Sequence, residues 1–298
     1  MTRPSSLLLV ALALGSCRRS TNSELAPAVS APAPALTSTA QASVSAAQSA
    51  SAAPNPTSAA PVASAPTRSE LAPLLGVAWI ERLELEDKHE AYVCPPIGAR
   101  ERRPLIVAVH GAGDRAEWAC GGWRMVAGEY AFVVCPQGKK MDPSRFAWDS
   151  EETIRKRVAS AIAAARARFG EYIAEGPTLY VGFSQGATLA GPTLLDPAQS
   201  FPFIALAEGG YDLLRNRAFL GKLKARGVES VLLACGTPAC FANMRAIEPN
   251  LSAAGIQALI GGDAKSGHNL NGEMQAGLQK VWPEFVAGLP NWRGYKRR

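Results

Sequence analysis

Histidine is scarce in this chain. Its 298 residues include only His89, His110 and His268, so chemistry that needs an imidazole has few places to find one. No C-x-x-C pair occurs, which removes the usual spacing of a structural zinc site. No apolar run reaches the roughly 20 residues that a membrane-spanning helix needs. Between residues 18 and 68 there is no aromatic residue and no lysine, and Glu24 is the only acid. Such a stretch has nothing with which to build a core. Its prolines at 27, 32, 34, 54, 56, 61 and 66 bias it toward extended backbone. It reads as a tether able to reach on the order of 150 Å at about 3.1 Å per residue. Strong charge is also lacking: the net +6 includes Arg3, Arg18, Arg19 and Arg68, and four further basic residues crowd the C-terminal tail. The remainder is too weakly basic to mark a nucleic-acid surface, so no nucleic-acid partner is expected.

The N-terminus has a layout of its own. Arg3 precedes the short apolar run 7–14, and Leu14-Gly15-Ser16-Cys17 follows. A basic start, a short apolar segment and small residues before a cysteine make a signal peptide with a lipobox. Residues 1–16 are therefore expected to be a lipoprotein signal peptide, with lipid attached at the Cys17 sulfur, and residues 17–68 the anchored linker. The expected location is a bacterial cell envelope, with the domain in the periplasm or at the cell surface. Residues 69–298 are an ordinary length for one α/β domain, expected to be monomeric.

Within that domain, short apolar runs alternate with helical patterns, the signature of a mostly parallel sheet with helices on both faces. Residues 77–93 alternate apolar and charged around Leu83 and Leu85, as half-buried antiparallel edge strands do. The runs 105–109, 132–134, 179–181, 203–206, 231–234 and 256–260 are almost continuously apolar, as strands buried on both faces are. Together they predict an eight-stranded sheet. Ile154, Val158, Ile162, Ala165 and Phe169 recur at helical spacing, and residues 213–225 and 274–286 read as further helices. On this layout Cys235 pairs with Cys240 and Cys120 with Cys135, leaving Cys94 over; five reduced thiols are the alternative.

Gly182-Phe183-Ser184-Gln185-Gly186 matches G-x-S-x-G between a buried strand and a helix expected over 187–195. In such a nucleophile elbow the turn is too tight for side chains two positions either side of the serine, and the hydroxyl stands at a helix N-terminus that favours negative charge. His110-Gly111-Ala112-Gly113-Asp114 follows the 105–109 strand, where the second half of an oxyanion hole is expected. The Ala112 and Gln185 amides are the two donors, and His110 is expected to pack and hydrogen-bond rather than react. These two motifs resemble those of the phospholipase/carboxylesterase and acyl-protein thioesterase group of α/β hydrolases. Pro136-Gln137-Gly138 is similar to a segment of polyhydroxybutyrate-depolymerase and feruloyl-esterase-like relatives. The resemblance, covering roughly residue 105 to the C-terminus, implies an α/β-hydrolase fold and a serine esterase needing no cofactor and no metal.

His89 lies in a charged edge segment, whereas His268 follows the last strand and precedes the final helix, so His268 is the expected base. The acid departs from the family pattern. Relatives carry an aspartate in the turn after the strand equivalent to 231–234, but here that turn reads Cys235-Gly236-Thr237-Pro238-Ala239-Cys240. Glu208, ending the preceding strand, is the first candidate; Asp212, Asp263 or no acid at all are the alternatives. Only 84 positions separate Ser184 from His268, too few for a cap domain beside the strands and helices they must hold. Trp118, Trp123 and Trp148, with Phe146, are expected in loops lining a pocket for a small-molecule or polymeric ester. A catalytically silent envelope lipoprotein with a binding role is the rival reading, and a serine peptidase a third.

Overall fold

The structure, a computed structural model, describes residues 70–296. The signal segment 1–16, Cys17 and the linker 17–68 lie outside the described residues. No helix among the described residues is long and apolar enough to cross a membrane.

The strands are β1 (Glu81–Glu84), β2 (Glu90–Cys94), β3 (Leu105–Val109), β4 (Phe132–Pro136), β5 (Lys139–Lys140), β6 (Phe146–Ala147), β7 (Leu179–Phe183), β8 (Phe203–Ala207), β9 (Ser230–Cys235) and β10 (Gln257–Gly262). Eight of them form one sheet in the order β1-β2-β4-β3-β7-β8-β9-β10. β1 pairs antiparallel with β2 and β2 with β4; every later pairing in the sheet is parallel. The sequence predicts the reason. Charged residues alternate with Leu83 in β1, whereas β3, β4, β7, β8 and β9 are buried along their whole length.

Helices cover both faces: α1 (Ala116–Val126), α2 (Glu151–Phe169), α3 (Gln185–Thr188), α4 (Gly191–Leu194), α5 (Tyr211–Arg215), α6 (Arg217–Ala225), α7 (Pro238–Ala253) and α8 (Gly272–Val286). The period-two alternation of a strand sorts the sheet into two cores. Leu105, Val107, Ile204, Leu206, Val231 and Leu233 face α2 and α4 to α7. Ile106, Ala108, Val181, Ala205 and Leu232 face α1 and α8.

Four local readings need correction. The helix expected over 187–195 is broken, because Pro192 has no N–H to return to the preceding turn and restrains Gly191 before it. The helix expected over 213–225 divides at Asn216, whose side chain accepts the Phe219 N–H and so starts α6 afresh. The segment of Trp118 and Trp123, read as a loop, holds α1, and α7 begins inside the turn read over Cys235–Cys240. The two-stranded ribbon β5–β6 is also new. Both favoured disulfides are present, Cys120–Cys135 and Cys235–Cys240, and Cys94 is a buried free thiol whose pKa burial pushes up to about 12.

Candidate active site

At the end of β7, Ser184 takes φ 51° and ψ −111°, a conformation rare outside glycine, while its N–H still donates to Ala207 O at 2.8 Å. The flanking glycines are required by space. A Cβ on Gly182 would lie 2.7 Å from Gly186 O and 2.9 Å from the Ala187 Cα; one on Gly186 would run into the Val109 and His110 carbonyls of the neighbouring chain segment. The buried Tyr180 hydroxyl donates to Gly186 O at 2.7 Å and secures the turn; burial raises its pKa.

The Ser184 Oγ lies 2.9 Å from His268 Nε2, and the opposite ring nitrogen, Nδ1, lies 3.2 Å from Glu208 Oε2. A carboxylate accepts at Nδ1, so that nitrogen carries the proton and Nε2 is left to accept from the serine hydroxyl. His268 reaches this place from the loop between β10 and α8, its ring 5.1 Å from that of Phe183. Glu208 follows β8 directly and has φ 54°; its N–H donates to Ala234 O at 2.9 Å, and its second carboxylate oxygen, Oε1, accepts the Gly236 N–H. The alternative acids are engaged elsewhere. Asp212 is exposed and paired with Arg215 at 2.8 Å, and Asp263 accepts the Lys265 N–H within its own loop.

Gly111 brings the second loop against the serine: a Cβ there would sit 3.0 Å from the Ser184 Cβ. The next residue, Ala112, and Gln185 both have amides without a protein acceptor among the described residues. The surroundings hold both segments in place. The Gly113 N–H donates to Phe146 O at 2.8 Å and the Phe146 N–H to Asp114 O at 3.1 Å, so ribbon β5–β6 braces the Ala112 loop. The Gln185 side chain bonds the Trp148 backbone twice, accepting from its N–H and donating to its carbonyl, each at 2.8 Å.

His110 is fully buried in this frame. Its Nε2 accepts the Gly138 N–H at 2.9 Å, so its Nδ1 carries the proton and donates to Gly111 O at 2.7 Å. Burial pushes its pKa down to about 4. The Pro136-Gln137-Gly138 motif acts here, since Gln137 Oε1 also accepts the N–H of Ala116 at the start of α1 (2.7 Å).

The three tryptophans divide. Trp118 is 61% exposed and lines a cleft of about 500 Å³ that also borders Ala112, His268 and Leu270. Trp123 is no pocket residue: it lies on the opposite side of α1, wholly buried, with its ring 6.0 Å from that of Trp282. Trp148 is also buried and donates its indole N–H to His110 O at 2.9 Å, supporting the Ala112 loop from behind. Asp114 lines the same cleft, and burial raises its pKa. Glu208, Cys235 and Cys240 converge closely enough to suggest a metal cage, but the two sulfurs are bonded to each other and supply no thiolate.

A mostly parallel eight-stranded sheet, helices on both faces and a serine on the strand-to-helix turn of a central strand together define the α/β-hydrolase fold. Solved structures agree at the level of fold. The chain is similar to a dienelactone hydrolase-like promiscuous phosphotriesterase from metagenomic libraries, with 14% identity over 70% of this chain and 98% of that one and a TM-score of 0.52. It is also similar to an uncharacterized protein from Bacillus cereus, with 16% identity over 64% of this chain and a TM-score of 0.51, though it spans only 62% of that protein's length. No family model matches the chain, and no curated protein matches it in sequence.

Proposed function

We propose that this protein is a serine hydrolase of carboxylic esters or thioesters that works through a Ser184 acyl-enzyme. The observation that carries the reading is the continuous relay from Ser184 Oγ to His268 Nε2 at 2.9 Å and from His268 Nδ1 to Glu208 at 3.2 Å. In this reading His268 takes the Ser184 proton as Oγ attacks the ester carbonyl. Glu208 holds the imidazole in the required tautomer and stabilises the imidazolium that forms. Negative charge developing on the carbonyl oxygen falls on the Ala112 and Gln185 amides, each such donor being worth about 2.7 to 4 kcal/mol. His268 then returns its proton to the departing alcohol or thiol, and a water activated by the same ring cleaves the acyl-enzyme.

No cap is inserted between Ser184 and His268, so the cleft beside Trp118 is open to a bulky or polymeric ester. We further infer that the domain is held at a bacterial envelope membrane by lipid on Cys17, a reading that rests on the N-terminal sequence alone. The test of the enzyme reading is hydrolysis of short p-nitrophenyl esters, together with labelling by an active-site fluorophosphonate. Wild type should hydrolyse and label, whereas Ser184→Ala should do neither; equal rates for the two proteins reject the assignment.

A further inference from the structure

The turn after β9 contains no acid, yet it bonds both the acid and the residue before the base. Its residue Gly236 donates its N–H to Glu208 Oε1 and accepts, at its carbonyl, the N–H of Gly267 at 2.8 Å. Gly267 is the residue before His268. The neighbouring Cys235 carbonyl accepts the Asp263 N–H at 2.9 Å, fixing the start of the same loop. A β-carbon on Gly236 would run into the Gly267 carbonyl, so the approach is open to glycine alone. The Cys235–Cys240 disulfide closes this turn over a separation of five residues, and its sulfurs lie within 4.8 Å of the Glu208 carboxylate.

We propose that the disulfide-closed turn Cys235–Cys240 is a positioning clamp, in which Gly236 aligns Glu208 with His268 in place of the acid the turn does not carry. The proposal rests on the hydrolase reading of the site. The physical argument concerns freedom of movement. A buried carboxylate with two oxygens needs two partners to have one orientation, and His268 occupies only one of them. The second partner is a backbone N–H in a turn, where the chain has most freedom to swing. A covalent ring of a few residues removes that freedom. Since Gly236 holds the His268 loop with its other polar group, any displacement of the turn moves acid and base apart. None of the clamp residues borders the cleft, so the effect belongs in kcat and not in KM.

The experiment uses the full-length protein and its Cys235→Ala/Cys240→Ala variant, each with and without Glu208→Gln, assayed on p-nitrophenyl acetate. Removing the disulfide is expected to lower kcat by about 10- to 100-fold, as loss of a group that orients a reacting side chain does, with KM unchanged. In the Glu208→Gln background the same change should cost almost nothing further. A second readout does not depend on hydrolysis: the far-downfield Nδ1 proton resonance of His268, assigned by its absence from His268→Gln, should broaden or vanish. Should the double alanine variant lack the wild-type circular dichroism, dithiothreitol reduction of the Cys120→Ala/Cys135→Ala protein, in which Cys235–Cys240 is the disulfide left among the described residues, supplies the same readouts. Wild-type kcat with an intact resonance overturns the clamp, as does an equal loss in the Glu208→Gln background. If wild type hydrolyses no ester, the hydrolase reading falls while the resonance still decides whether the turn holds Glu208 to His268.

Discussion

Glu208 is nearly sealed from water, with 4% of its side chain exposed, while its partner His268 stands 54% exposed. An anion in that position has little solvent to soften its field, so its charge bears strongly on the imidazole. Glu208→Gln keeps the shape and an oxygen for Gly236 but deletes the charge. Its kcat should fall on the order of 10³- to 10⁴-fold in the p-nitrophenyl ester assay. His110 yields a different kind of prediction. Its pKa lies at about 4 in the folded protein, against roughly 6.5 for a free imidazole. The unfolded chain therefore binds the extra proton first. The stability is fully present above about pH 6.5 and is lost as pH falls toward 4, by about 3 kcal/mol in total. Denaturant titrations from pH 7 to 4 should show that loss in wild type and a clearly smaller one in His110→Gln.

Residues differed in how plainly the sequence announced them. Ser184 was legible because a fixed spacing of glycines accompanies an elbow, and His268 because only three histidines exist. Glu208 was legible only through topology, since the ends of β8 and β10, with β9 between them, must come out at one edge of the sheet before a glutamate 60 positions away can reach the ring. Gly236 was not legible as a functional residue at all, because its role lies in backbone groups that every residue has.

Elements set the next scale, and α1 shows why some were missed. Read as a loop, its two tryptophans were equivalent; as a helix it sends Trp118 to the cleft and Trp123 into the core. The variants should separate accordingly. Trp123→Ala should cost about 3 to 5 kcal/mol of stability by chemical denaturation. Trp118→Ala should stay within about 0.5 kcal/mol of wild type yet raise KM for aryl esters. Helix α7 was hidden by the Cys235–Cys240 pair at its start, which drew attention to the turn, although Thr237 before Pro238 is a good cap and first-turn pair and its hydroxyl accepts the Cys240 N–H. The sheet itself was read correctly to its strand count, since five of its strands are buried along their whole length and show continuous apolar runs.

Over the whole molecule, the two disulfides should rank in opposite orders for stability and for activity. Cys120–Cys135 closes 15 positions and Cys235–Cys240 only five, so on loop-closure entropy the first contributes about 3 kcal/mol and the second about 2. Replacing Cys120 and Cys135 with alanine should therefore lower the denaturation midpoint more while changing kcat less. Membrane attachment is testable on the intact chain: wild type should take up radiolabelled palmitate and enter the detergent phase, and Cys17→Ala should do neither.

The place of the carboxylate also bears on recognition. In the proposed relay the acid follows β8, and the turn after β9 supplies only the Gly236 amide. A search of this chain for an aspartate in the turn after β9 finds none and would score the relay as broken. The glutamate after β8 is the residue such a search has to include.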